Sequence, residues 1–341
     1  MERVSGLRFV VVGAGLSGLS LARFLLDRGG EVLLTDSRPE VPGEVRELER
    51  QGARLVFGRH VETDFTQADR VLVSPGVPLT IPAIQAARRA GVSVSGEIEF
   101  ASRFLKGKMI GITGTNGKST TTTLTGLLLQ EAGLNAVACG NLGTPLIDMV
   151  AQDTPDRHYV VELSSFQLEG IETFRPDVAM LLNVAPDHQD RYADHASYRS
   201  AKGRIFENQL PTDAAVLNRD DAESYAFAPL LGARLSLFSR TLSVPEGACV
   251  EGGAVTLRKG GSGREVLAVR DLALVGNHNL ENVLASVVAA DLCGVPPESM
   301  SETLKRFPGL PHRMERVAEI RAVRYYNDSK ATNVAATLRS L

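Results

Sequence analysis

Cysteine is scarce in this chain. Cys139, Cys249 and Cys293 are the only three in 341 residues. They are odd in number, far apart and in no C-x-x-C pair, which excludes a disulfide framework and a thiolate zinc site and points to a reducing compartment. No apolar run approaches membrane-spanning length, and no charged leader precedes an apolar segment with a cleavage site, so the chain is expected in the cytoplasm and off the membrane. Basic blocks are absent as well. With 37 Lys and Arg against 40 Asp and Glu the net charge is −3, and a nucleic-acid footprint is not indicated. Internal repeats, low-complexity tracts and coiled-coil heptads are likewise missing.

What is present suits a multi-domain globular protein. A length of 341 residues with 43% hydrophobic side chains allows about two or three domains with buried cores. The stretch from Met109 to Leu129, MIGITGTNGKSTTTTLTGLLL, reads as strand, tight turn and helix. Its turn, Gly114-Thr115-Asn116-Gly117-Lys118-Ser119-Thr120, aims backbone N–H groups and a helix N-terminus at one spot, a cradle for polyphosphate. Lys118 would reach the outer phosphates and the Ser119 hydroxyl would sit on Mg²⁺, with ATP or GTP as the expected ligand. Ile112 stands where the common phosphate-loop pattern has its first glycine, leaving a shorter G-x-x-G-K-S-T loop. The plainer reading is a capped βα turn.

A second phosphate-type turn opens the chain. After a strand over 8–12, Gly13-Ala14-Gly15-Leu16-Ser17-Gly18 completes G-x-G-x-x-G before an apolar helix to about Arg28, and the strand from Glu31 to Thr35 ends on Asp36. This is the opening βαβ unit of a doubly wound sheet, with Asp36 placed to grip a ribose hydroxyl. Alone it suggests an NAD(P)-dependent oxidoreductase, yet the motif identifies a diphosphate more firmly than a redox reaction. A strand over 70–73 turns at Ser74-Pro75-Gly76, which makes Ser74 and Gly76 either ligand contacts or simple turn residues. The charged stretch over 96–108, with Glu97, Glu99, Arg103 and Lys106, reads as a domain boundary. Two nucleotide-type turns in succession favour an enzyme that activates a nucleotide-linked substrate with ATP.

Further along, HYVVEL places Glu162 at the end of a buried strand, where it completes a Mg²⁺ shell or serves as an edge or capping residue. The strand over 177–184 enters a loop dense in metal and proton-transfer groups, from Ala185 to Arg191, with His188 its best candidate. Lys202, on a helix over 197–208, would by itself be a surface residue. The segment over 233–275 suggests irregular β-structure. Asn279 and Asn282 lie three apart on an apolar helix, where their amides could read a purine edge or cap the helix. Pro308-Gly309-Leu310-Pro311 punctuates the chain like a linker, followed by two strands ending near Ile320 and Tyr326.

Taken together, GAGLSGLS, SPGVP, GITGTNGKSTTT, GNLG, ELSSFQLE, LNVAPDHQDR, AKGRIFEN, GNHNLENVLA, GLPHRMERV and NDSKATN resemble the Mur ligase family essentially end to end, and ELSSFQL with the DHQDRY loop resembles its D-glutamate-adding branch. The resemblance implies an α/β chain: a Rossmann-like UDP-substrate domain over 1–97, a central P-loop ATPase-type domain with a mainly parallel sheet over 98–309, and the start of a third α/β domain over 310–341. It implies an ATP-dependent ligase in peptidoglycan precursor synthesis that joins D-glutamate to UDP-N-acetylmuramoyl-L-alanine through an acyl phosphate, acting as a monomer. Ser119 and Glu162 would hold one Mg²⁺, and His188 with Lys202, the latter as a carbamate, a second. Leu16, Ser17, Asp36, Ser74, Gly76 and Asn141 would contact the UDP-substrate. The loop from Gly114 to Thr120, with Asn279, Asn282, Arg313 and Asp328, would contact ATP, while Lys330 and Thr332 would face D-glutamate. About thirty residues are too few for the complete third domain of the family, so a truncated, catalytically impaired fragment that still binds nucleotide is the alternative expectation.

Overall fold

Residues 2–331 are described by a computed structural model, so Thr332, expected at the amino-acid substrate, lies outside the described residues. Contact density divides the chain into two units. Residues up to Gly107, with Cys139–Pro155 and Ser164–Phe174, form the first, and Lys108–Ala138, Asp156–Leu163 and the residues from Arg175 onward form the second.

In the first unit, β1 (Arg8–Val12), α1 (Leu16–Asp27), β2 (Glu31–Asp36), α2 (Val45–Arg50), β3 (Arg54–Phe57), α3 (Glu62–Thr66), β4 (Arg70–Val73), α4 (Pro82–Arg89), β5 (Ser93–Gly96) and α5 (Glu97–Ser102) follow one another. The five strands pair in the order β3-β2-β1-β4-β5, and every pairing is parallel. Parallel strands covered on both faces need apolar side chains on both, and β1 is buried from Phe9 through Val12. The order reverses between β1 and β4, so the crevice beyond their C-terminal ends is where this architecture takes ligands. The strand at Arg54–Phe57 escaped the sequence reading, because RLVF is only four residues long, although Gly52 and Gly58 punctuate it on both sides.

The second unit is built on a nine-stranded sheet. Its chain order is β6 (Lys108–Thr113), α6 (Lys118–Glu131), β7 (Ala136–Gly140), β8 (His158–Glu162), α7 (Ser165–Glu169, part of the first unit), β9 (Val178–Leu181), α8 (His195–Gly203), β10 (Ala214–Asn218), α9 (Ala222–Tyr225), β11 (Arg234–Ser239), β12 (Gly247–Glu251), β13 (Ala254–Lys259), β14 (Ser262–Ala268), α10 (Asn277–Leu292), α11 (Pro297–Arg306), β15 (Glu315–Ile320) and β16 (Val323–Asn327). The sheet runs β14-β13-β12-β11-β10-β9-β6-β8-β7, and β15 pairs β16 in a separate hairpin. Strand β6 lies between β8 and β9, parallel to both, so the Gly114 turn leaves from the sheet interior. Helices α6 and α10 contribute Leu124, Leu128, Val283, Val287 and their neighbours to one core cluster with Ile110, Ile112 and Met180. Full burial of each such side chain contributes about 1.5–3 kcal/mol.

The segment over 233–275 is regular: β12, β13 and β14 form an antiparallel meander attached to the parallel strand β11, with tight Gly252-Gly253 and Gly260-Gly261 turns whose glycines all have positive φ. The glycines mark reversals between strands rather than irregularity. In the stretch over 96–108, at the end of which the first unit's opening segment stops (Gly107), Glu97 and Glu99 are almost fully buried. Glu99 Oε2 accepts the backbone N–H groups of Glu172, Thr173 and Phe174, and Glu99 Oε1 accepts from the Thr173 hydroxyl and Arg103. Burial opposes its charge, but these donors outweigh burial and hold its carboxyl below the ordinary range.

Candidate functional site

In the first unit, the turn between β1 and α1 meets the end of β4. Ser74 accepts no slack here: its backbone N–H donates to Val12 O at 2.9 Å and its hydroxyl to Gly13 O at 3.0 Å. A Cβ at Gly18 would lie 1.9 Å from the Gly13 carbonyl oxygen, so only glycine lets α1 approach the turn so closely. Asp36, at the end of β2, accepts the Ala14 N–H at 2.8 Å and both Nε and Nη2 of Arg38 at 2.9 and 2.8 Å. The Arg38 hydrogen bonds, against a smaller opposing effect of burial, hold the Asp36 carboxyl well below the usual carboxylate range. A ribose hydroxyl would therefore compete with Arg38 for Asp36. Leu16 is exposed at the first turn of α1, Ser17 is half-buried, and Gly76 and Asn141 lie exposed in turns after β4 and β7. Leu16, Ser17, Asp36 and Ser74 surround one turn, with Arg38 a further cation beside it.

In the second unit, the Gly114 turn is held by the segment that follows β9. Thr115 N–H donates to Asn183 O at 3.0 Å, Asn116 N–H to Asn183 Oδ1 at 2.9 Å, and Asn183 Nδ2 to Asn116 O at 3.1 Å. Gly117 opens α6 with φ +85°, and no side chain caps the helix. Its first-turn N–H groups keep the arrangement that receives phosphate. A Cβ on Gly117 would lie 2.2 Å from Asn282 Oδ1. Asn282 in turn accepts from Thr121 at 3.3 Å and donates to Asn279 Oδ1, while Asn279 Nδ2 donates to Val275 O at 2.9 Å. The two amides thus form a relay from α6 to the start of α10, and a purine would have to displace or share these bonds.

Lys118 and Lys202 converge below this turn. Lys118 Nζ donates to Gly114 O at 3.0 Å and Thr115 O at 2.9 Å, and Lys202 Nζ donates to the same Gly114 O at 2.8 Å. Lys202 is only 1% exposed, a finding opposite to its expected surface position, because α8 turns its 198 and 202 face toward the Gly114 turn. Burial first, then the Lys118 charge, push its amine well below the ordinary lysine value, with Asp187 opposing. Burial also lowers Lys118; Glu162 and Asp187 act to raise it and Arg313 to lower it. Tyr198, one α8 turn before Lys202, carries its ring 4.5 Å from Lys202 Nζ and meets the His188 ring edge-on at 5.9 Å. Burial pushes the Tyr198 phenol up to about 12, against its hydrogen bond to Thr115. His188 is exposed and adopts φ 51°.

Glu162 ends β8 at 2% exposure, so the edge or capping reading does not describe it. A hydroxyl and a carboxylate, Ser119 and Glu162, form the oxygen donor set that Mg²⁺ accepts alongside waters and phosphate. Among the described residues no three His, Cys, Asp or Glu side chains gather into a cage, so nucleotide oxygens would have to complete the shell. Arg313 Nη2 donates to Ser119 Oγ at 3.0 Å, bringing the segment after the linker to the phosphate turn. Asp328 accepts the Met314 N–H at 3.1 Å, and Lys330, exposed, donates its backbone N–H to His312 O. The structure therefore gathers Lys118, Ser119, Lys202, His188, Asn282 and Arg313 around one turn. Asp328 and Lys330 lie on the β15–β16 hairpin side of it.

Sequence reasoning assigned no role to Asn183, Tyr198 or Arg38. Asn183 was visible as an amide ending the apolar run MLLN, and Tyr198 as the residue four places before Lys202 on one helix face. Nothing in the sequence pairs Arg38 with Asp36 apart from their proximity.

The family profile described as the Mur ligase middle domain matches residues 112–290, and that of the Mur ligase MurD-like N-terminal domain matches residues 7–96. A UDP-N-acetylmuramoylalanine--D-glutamate ligase of Pelotomaculum thermopropionicum is 44% identical over 98% of this chain and 74% of its own length. One of the same name from Geobacter metallireducens is 46% identical over 99% of this chain and 75% of its own. The crystal structure of a UDP-N-acetylmuramate:L-alanyl-gamma-D-glutamyl-meso-diaminopimelate ligase from Neisseria meningitides shares the fold, with a TM-score of 0.59 at 18% identity over 88% of this chain and 98% of that one. With two matched domain profiles and relatives of this identity along nearly its whole length, the chain belongs to the Mur ligase family.

Proposed function

We propose that this chain is an ATP-dependent ligase that adds D-glutamate to UDP-N-acetylmuramoyl-L-alanine in peptidoglycan precursor synthesis. The observation that carries the reading is the glycine turn at Gly114–Ser119, with Lys118 folded onto it and a separate diphosphate-type turn at Gly13–Gly18. The shared name of relatives at 44% and 46% identity supplies the substrates. That likeness over 98–99% of the chain favours the ligase over an oxidoreductase.

A free carboxylate is a poor electrophile, since expelling oxide is prohibitive. Transfer of the ATP γ-phosphoryl group to the acceptor carboxylate gives an acyl phosphate and ADP. The D-glutamate amine, having lost a proton, then forms its C–N bond at the carbonyl carbon, and the tetrahedral intermediate expels phosphate. Little covalent work falls to the protein, which positions the phosphates and neutralises charge. We assign Lys118 and the N–H groups from Gly114 to Thr120 to the phosphates, and Asn279, Asn282, Arg313 and Asp328 to the rest of the nucleotide. Mg²⁺, held by Ser119 and Glu162, would supply charge neutralisation at the phosphates.

His188 and Lys202 are assigned to a second Mg²⁺. For this role the Lys202 amine would condense with CO₂, forming an N–C bond and releasing a proton to give a carbamate. Its burial and lowered pKa support that step, because only the neutral amine is nucleophilic. Leu16, Ser17, Asp36, Ser74, Gly76 and Asn141 are assigned to the UDP-substrate, and Lys330 and Thr332 to D-glutamate. Domain limits at 97 and 309, a monomeric state and a cytoplasmic location complete the proposal. Among the described residues no helix is long and apolar enough to cross a membrane.

The test is phosphate release from protein, ATP, Mg²⁺, UDP-N-acetylmuramoyl-L-alanine and D-glutamate. Release should require both acceptor and amino acid. Release indifferent to D-glutamate, or NADH bound tightly where the UDP-sugar is not, would reverse the assignment.

A further inference from the structure

We infer that Tyr198 is a positioning residue for ATP binding, its hydroxyl fixing the phosphate turn through Thr115; this rests on the assignment of the Gly114 turn to ATP.

Thr115 Oγ1 accepts the Ala185 N–H at 3.0 Å and lies 3.2 Å from both Ala185 O and the Tyr198 hydroxyl. The single Thr115 proton serves one of the latter two at a time; when it is on Ala185 O the Tyr198 hydroxyl donates to Thr115, and in either arrangement the phenol is bonded to the Thr115 oxygen. Thr115 and Tyr198 are both buried, so water cannot replace the phenol cheaply.

The phenol is itself held on three sides. The Tyr192 ring packs at 5.2 Å, the His188 ring meets it edge-on at 5.9 Å, and Lys202 Nζ lies 4.5 Å from its centroid. A hydroxyl on so constrained a ring reports a fixed position to Thr115. Thr115 is the residue whose carbonyl receives Lys118 Nζ at 2.9 Å and whose N–H is clipped to Asn183. The position of the lysine that meets the phosphates thus traces back to α8.

A buried tyrosine also stabilises the fold, so the test must separate the two roles. Calorimetric titration with MgATP alone, together with melting in the absence of nucleotide, would be measured for the unsubstituted chain, Y198F, T115S, T115V and the T115V/Y198F pair. Y198F keeps the ring and should melt within a few degrees of the unsubstituted chain, yet bind MgATP about two- to tenfold more weakly, the equivalent of one net hydrogen bond. T115S keeps the hydroxyl and should bind MgATP more tightly than T115V. The double variant should bind no more weakly than T115V, because both substitutions remove the same contact. Unaltered MgATP affinity in Y198F, or full additivity in the pair, would overturn the inference while leaving the ATP assignment intact. No MgATP binding by the unsubstituted chain would overturn both.

Discussion

Lys118 and Lys202 aim their ammonium groups at one acceptor, the carbonyl oxygen of Gly114, at 3.0 and 2.8 Å. A single carbonyl cannot balance two cations, and Lys202 lies deep enough that water does not help it. Glu162 and Asp187 oppose this, yet both amines stay below the ordinary lysine value, so the pair favours an arriving anion. Polyphosphate at Lys118, or a carbamate at Lys202, would each supply one. The site is built for charge that arrives with its ligands.

Replacing Lys202 by Met should accordingly separate stability from function. The Lys202 amine has its folded pKa depressed below 10.5. Between that lowered value and 10.5 the unfolded chain holds a proton that the folded chain has lost, so the penalty for folding shrinks as pH rises toward 10.5. In carbonate-free, nucleotide-free buffer, K202M should be as stable as the unsubstituted chain or more so, by on the order of 1–4 kcal/mol. Its ligase rate should fall by roughly a hundredfold or more. Urea unfolding at pH 7 and pH 10 with a phosphate-release assay checks both halves; a large loss of stability at pH 7 would refute the electrostatic account.

Glu97 makes a second pH-dependent prediction. Its Oε1 accepts the Ile147 N–H at 2.7 Å, while the buried Oε2 meets no hydrogen-bond partner among the described residues. Burial, with Asp148 adding to it and the Ile147 N–H opposing, pushes the carboxyl up to about 7 from 4.5. The folded chain therefore holds a proton that the unfolded chain releases between those values, and stability falls as pH rises through that window. Glu97→Gln imitates the protonated form, so its advantage over the unsubstituted chain should be near zero at pH 4.5 and grow toward pH 7. Melting temperatures across this range give the answer, and parallel curves for the two proteins would contradict it.

Much of this was readable from the chain because the informative residues lie at punctuated places. The turns at Gly13 and Gly114 each sit between an apolar strand and a helix, so their glycines and Lys118 declared both location and chemistry. Glu162 and Lys202 were harder. Their types are usually exposed, and only long-range packing, the sheet around β8 and the seat of α8, decides that both are buried. The burial of Glu97 and Glu99 was hidden for the same reason: EIEF reads only as a charged helix turn until the N–H groups of 172–174, more than seventy residues away, converge on Glu99. Hydrophobic periodicity reports which face is apolar. It carries no information about which distant backbone donors will satisfy a carboxylate.

Gly117 offers the strictest test of the phosphate turn, because two independent constraints meet there. Its φ of +85° is a conformation that alanine adopts only with strain. A Cβ would also stand 2.2 Å from Asn282 Oδ1, far inside contact distance, and Asn282 cannot retreat without surrendering Thr121 and Asn279. Gly117→Ala should therefore destabilise the chain by about 1–2 kcal/mol from backbone strain, with the clash adding to it. It should also abolish measurable MgATP binding by turning the N–H groups of α6 away. Adding Asn282→Ala removes the obstructing oxygen but not the strained φ, so the pair should recover part of the stability and little of the binding. Full recovery of nucleotide affinity in G117A/N282A would mean that the side-chain clash alone, and not the left-handed backbone, shapes the turn.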